Sequence, residues 1–247
     1  MEITCKNCGQ TYTGHYCNNC GQPAATHKLN FHFLWKEIQH DLLHFNEGIP
    51  YSAKQLFTRP GHSIREFIEG KRVRHMKPIS LVLLLAAAYG FLYHYFDISF
   101  NDISSKPSEN GVDNVKFNDW IGSHYPWVIL FTIPLYTIGT SIAFKKQDYN
   151  LVEYLILNTY KASQRLLVHI ALFPVLYYYN STGTMRTLSI LIYLLDFVLI
   201  YWTNKQFFNK LSLKKVLLLT LLSQIIFFTC LITVIMIIIL IYQALPK

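Results

Sequence analysis

Charge is scarce in this chain. Asp, Glu, Lys and Arg make up 15% of its 247 residues, while apolar residues make up 52%. Soluble domains carry about 25% charged residues. The composition therefore excludes an ordinary soluble globular protein. Acidic residues are scarcer than basic ones, 14 against 22, which leaves a formal net charge of +8. The excess does not point to nucleic acid. The cations gather beside apolar runs, where a membrane protein collects them, and anionic lipid headgroups are the expected partner. Catalytic signatures are missing as well. There is no Walker loop, no H-E-x-x-H, no G-x-S-x-G and no dinucleotide fingerprint, so a non-enzymatic role is expected over an enzymatic one. The opening Met1–Cys5 has neither a basic n-region nor an apolar h-region, so the apolar run from Ile79 is expected to act as an uncleaved insertion signal.

Cysteine is rare, and four of the five cysteines fall in the first twenty residues. Cys5-Lys-Asn-Cys8-Gly-Gln and Cys17-Asn-Asn-Cys20-Gly-Gln are near copies of each other. Two thiolates three residues apart on a tight turn can fill two corners of a tetrahedron, and a glycine after the second permits the turn. The segment has no apolar core, so metal must supply its fold, worth about 10–16 kcal/mol in comparable peptides. Two disulfides are the alternative, which the basic flank and missing signal peptide disfavour. Residues 1–24 are thus read as a zinc ribbon in which Cys5, Cys8, Cys17 and Cys20 hold a structural Zn2+. Four protein ligands leave no position for water, so the metal is not catalytic. Cys230 stands alone in an apolar run and is read as packing.

Residues 25–78 form a second region, with Pro23 to Asn30 read as a linker. The spacing predicts an amphipathic helix over Phe31–Phe45, with Phe31, Leu34, Trp35, Ile38, Leu42 and Phe45 on one face. Glu37, His40 and His44 share the opposite face. They are a possible second metal or polar site, or simply a solvated face. Further short helices are expected over Ser52–Thr58 and from Ser63 to Gly70. Their apolar faces are expected to lie in the bilayer interface. Lys71, Arg72, Arg74 and Lys77 then abut the first long apolar run and are expected to contact anionic lipid.

Residues 79–247 hold five apolar runs, near 79–96, 127–144, 154–178, 187–202 and 213–242. Each can cross a hydrocarbon core of about 30 Å with some tilt. Counting only cations near the spans, eleven fall on one side: Arg65, Lys71, Arg72, Arg74, Lys77, Lys145, Lys146, Lys205, Lys210, Lys214 and Lys215. Lys106, Lys116, Arg186 and Lys247 fall on the other. The expectation is an all-α integral membrane protein with about five transmembrane helices, its amino terminus cytoplasmic, its carboxyl terminus outside and residues 97–125 forming an external loop.

The third run carries Lys161, Arg165 and His169 at four-residue spacing, and the fourth carries Asp196. Buried charge at mid-bilayer costs about 2.5–3.5 kcal/mol on insertion scales, so such groups face other helices or a cavity. Arg165 and Asp196 fall at similar depth and are expected to pair. The cluster is read either as a structural joint or as a polar cavity for a small, anionic solute.

The order of these features resembles an uncharacterised bacterial family, domain of unknown function 3667. The resemblance rests on Cys5, Cys8, Cys17 and Cys20, then Pro60-Gly61, then Gly70-Lys71-Arg72, then several apolar spans. Glu153-Tyr154 is similar to a family segment that usually reads Glu-His; here tyrosine replaces the histidine. The resemblance implies the inner membrane of a bacterium and brings no activity. Three functions follow as expectations: a scaffold or regulator whose ribbon docks a cytoplasmic protein partner, a transporter or channel around Arg165 and Asp196, or an enzyme acting on lipid or a lipid-linked substrate.

Overall fold

The computed structural model describes residues 2–24, 26, 29–31, 48–96, 98, 120, 124–180 and 182–244. The chain opens on two minimal strands, β1 (Ile3–Thr4) and β2 (Thr11–Tyr12), paired antiparallel with Ile3 opposite Tyr12. The buried apolar residues of this lobe, among those described, are Cys5, Tyr12 and Cys17.

Two short helices follow, α1 (Gly48–Thr58) and α2 (Pro60–Glu69). Pro60 opens α2, where a missing N–H costs nothing. Gly70 closes it in the left-handed region at φ 116°, with its N–H returned to the carbonyls of Glu66 and Phe67. The apolar face of α2 does not lie in the bilayer interface as the sequence suggests. Ile64, Phe67 and Ile68 are buried in the main core, and the Phe67 ring meets Tyr160 edge-on at 5.4 Å. An amphipathic face looks the same whether lipid or protein will cover it, and here the bundle covers it.

Five long helices form that bundle: α3 (Pro78–Tyr95), α4 (Tyr125–Ala143), α5 (Leu151–Tyr178), α6 (Thr184–Phe207) and α7 (Leu213–Ala244). Four of them, α3, α4, α6 and α7, are long and apolar enough to cross a membrane. The remaining sequence run, α5, is 28 residues long but interrupted by Asn158, Lys161, Gln164 and Arg165. Its place in the fold explains its polarity. It packs against α1, α2, α3, α4 and α6, so its polar groups meet protein rather than lipid. The outer faces of α6 and α7 are rich in exposed apolar side chains, among them Tyr193, Val198, Leu218, Ile225 and Ile232.

Candidate metal centre and the adjoining groove

Each cysteine pair sits on the same turn. Gly9 N–H donates to the Cys5 carbonyl and Gly21 N–H to that of Cys17, at 2.8 and 2.9 Å. Both glycines hold positive φ, 79° and 73°, which is why glycine follows each second cysteine. The two turns face each other. Cys5 Sγ lies 3.5 Å from Cys20 Sγ and Cys8 Sγ lies 3.5 Å from Cys17 Sγ, and all four sulfurs fall within 4.8 Å of one another. A tetrahedron of thiolates about 2.3 Å from a metal has edges of about 3.8 Å, so the set fits one ion.

The surroundings of these sulfurs differ. Burial pushes the Cys5 thiol up to about 11. The Gln10 backbone N–H, then the Cys17 and Asn19 side chains, bring Cys8 down to about 6. Burial raises Cys20, but the Gln22 N–H and the Asn7 side chain outweigh it and lower the thiol. Asn7 thus serves the second turn and Asn19 the first. Sequence reasoning passed over both, although each stands directly before the second cysteine of its turn. Such outer donors orient metal ligands.

The ribbon is clamped to the rest of the chain. Gln22, itself buried, accepts the Arg72 N–H at 3.3 Å and donates to Thr26 at 3.4 Å. Lys6 Nζ donates to the Thr26 carbonyl at 3.1 Å. A Cβ at Gly70 would stand 2.8 Å from Lys6 Cδ and 3.2 Å from Thr26 Cγ2, so the ribbon rests on the end of α2. The segment read as a linker is likewise anchored, since Leu29 is buried and its carbonyl accepts from Asn150 Nδ2 at 3.2 Å.

Between ribbon and helices lies a cavity of about 530 Å³. Cys8 and Cys20 line one wall and Arg59, Lys71 and Arg74 the other. Glu66 orders that basic wall, pairing with Arg59 at 3.1 Å and Lys71 at 3.4 Å. His75 closes the floor. Burial lowers it to about 4, Glu66 pulls it upward and Arg59 pushes it further down. It packs edge-on against Tyr51 at 5.1 Å. Of the four cations expected to meet lipid, Lys71 and Arg74 line this groove. Arg72 turns inward, donating from Nε to the Phe67 carbonyl at 3.2 Å and lying 5.5 Å from the Phe67 ring centre. Lys77 occupies the N-cap position of α3 without a side-chain capping bond.

A second polar centre lies inside the bundle. Asp196 accepts from His169 Nε2 at 3.0 Å and lies 3.7 Å from Arg165 Nη1. The same guanidinium sits over the Tyr136 ring at 5.0 Å and bonds its hydroxyl at 3.4 Å. Lys161 does not join them. Its Nζ donates to Asn158 Oδ1 at 3.1 Å, and Thr140 donates to the same oxygen. Gln164 bridges from the Leu56 carbonyl to Thr203. Asn204 bonds Thr220, and Ser223 bonds back to the Thr220 carbonyl. Tyr154 donates to the Phe144 carbonyl at 2.6 Å. Glu37, His40 and His44 lie outside the described residues.

The arrangement defines a class: an apolar helical bundle of membrane type carrying a four-cysteine, zinc-ribbon-like lobe. Residues 47–90 match the model of a family described as "Protein of unknown function (DUF3667)", the family that the order of motifs resembles. No curated protein and no solved structure matches the chain. The matched segment is α1, α2, the basic turn and most of α3. Within it, Pro60 opens α2 and Gly70 closes it.

Proposed function

We propose that this protein is an inner-membrane scaffold or regulator whose cytoplasmic head is built around a structural zinc. The observation that carries this reading is the closed set of four thiolates with its reciprocal Asn7 and Asn19 donors. Four sulfurs complete the tetrahedron, so the metal has no position at which to activate water, and what it supplies is shape. The clamp through Gln22, Lys6 and Gly70 supports a head in which ribbon and helices act as one surface for a protein partner. The contacts of Arg165 with Asp196 and Tyr136 support a structural joint within the bundle over a solute pathway.

Purified full-length protein should contain about one zinc per chain. Protein reloaded with cobalt should show the absorption of a tetrahedral thiolate complex. That spectrum should stay unchanged when azide is added. A spectrum that responds to azide would reveal an open coordination position and overturn the structural role.

A further inference from the structure

The groove beside the metal centre has walls of opposite charge. On the helix side, Arg59, Lys71 and Arg74 face it, and Glu66 is the one carboxylate lining it among the described residues. That wall is left with a surplus of two positive charges. On the ribbon side, four thiolates around a divalent cation carry two surplus negative charges. Cys8 and Cys20 present that charge to the groove. A plain anion is attracted by one wall and repelled by the other. A molecule carrying both signs, a few ångströms apart, satisfies both.

We propose that the groove binds a zwitterionic phosphate ester of the phosphoethanolamine type, its phosphate on Arg59, Lys71 and Arg74 and its ammonium toward the thiolates. Size agrees, because a cavity of about 530 Å³ is within the roughly 300–1,000 Å³ of small-ligand sites. Position agrees too. Lys71 to His75 end three residues before Pro78, the first residue of an apolar helix, so a bilayer entered at Pro78 would have its headgroups beside the groove. Guanidinium and ammonium donors make charge-assisted bonds to phosphate oxygens. Neighbouring Tyr51 and His75 supply a partly apolar floor for the ethylene unit. This assignment rests on the metal reading, since the ribbon wall is negative only when the thiolates hold an ion.

The test uses zinc-loaded full-length protein in detergent, titrated with phosphoethanolamine, glycerol phosphate and inorganic phosphate. Phosphoethanolamine should bind saturably and at least about tenfold more tightly than either plain anion, a gap of about 1.4 kcal/mol. Arg74→Gln, at an exposed side chain, should weaken it by about tenfold with zinc content unchanged. Arg59→Gln should do the same, provided its melting temperature is preserved. Equal affinity for phosphoethanolamine and inorganic phosphate, or an Arg74→Gln protein that binds as the parent does, would overturn the assignment. In parallel, protein from nanodiscs of mixed phosphatidylethanolamine and phosphatidylglycerol should retain the former in native mass spectrometry. Retention of the lipid without binding of the soluble ester identifies the source as membrane lipid, and the converse identifies a free ester. Binding of neither overturns the proposal. A parent protein without zinc defeats the metal reading; zinc present with an empty groove defeats this inference alone.

Discussion

Asp196 is the only carboxylate within the bundle's described helices α3 to α7 apart from Glu153 at a helix start, and two side chains of α5 converge on it. The sequence places Arg165 at its depth, and His169 turns out to be the nearer partner, at 3.0 Å against 3.7 Å. This unequal sharing changes what substitution should do. Arg165→Gln leaves Asp196 still bonded to His169. Asp196→Asn leaves a guanidinium whose remaining named contacts are the hydroxyl and ring of Tyr136. An uncompensated buried charge costs about 3–5 kcal/mol. Asp196→Asn should therefore lower the melting temperature in detergent more than Arg165→Gln does. The double variant should recover part of the loss. Equal, additive losses would show that the two groups do not interact.

At the scale of elements, the joint between α2 and α6 holds the head to the bundle. Arg65 Nη1 donates to the carbonyls of Gln206 and Phe207 at 3.2 and 2.9 Å, placing a cation on the C-terminal end of α6. Gln206 in turn accepts the Gly61 N–H at 3.1 Å. A Cβ at Gly61 would collide with backbone atoms of Thr203 and Phe207, which no rotamer change can relieve. Gly61→Ala should thus separate α2 from α6, losing on the order of 1–3 kcal/mol as overpacking does. Limited proteolysis between residues 58 and 75 would detect it, and unchanged resistance to cleavage would contradict the account. The apolar runs, the paired cysteines and the polar stripe of α5 were legible because each signal is local in sequence. The α2–α6 joint was not, because Gly61 and Phe207 are far apart in the chain and an amphipathic face does not name what will cover it. The same holds for Leu29 and Asn150, which turn an apparent linker into an anchor.

For the whole molecule, the question is whether α5 crosses the membrane, since it is more polar than the four helices apolar enough to do so. Its contacts decide its direction. Near its start, Tyr160 donates to the Met76 carbonyl just before α3; near its end, Phe173 and Tyr177 meet Phe96 just after α3. The two helices therefore run parallel over the same length, and whatever α3 spans α5 spans beside it. Helix α4 runs opposite, with Thr140 at Asn158 and Tyr136 at Arg165. So does α6, with Thr203 at Gln164 and Asp196 at His169. Helix α7 reverses again, as Gly139 lies against Ser223 and Tyr136 stacks on Phe227. Five helices alternate in direction, so a topology in which all five cross puts the termini on opposite sides. We propose the sense from the cation bias, which puts the basic turn before Pro78 in the cytoplasm. A reporter active only outside the cytoplasm should be active when fused after Lys247 and silent when fused before Met1. Activity of a cytoplasm-only reporter at Lys247 would mean an even number of crossings.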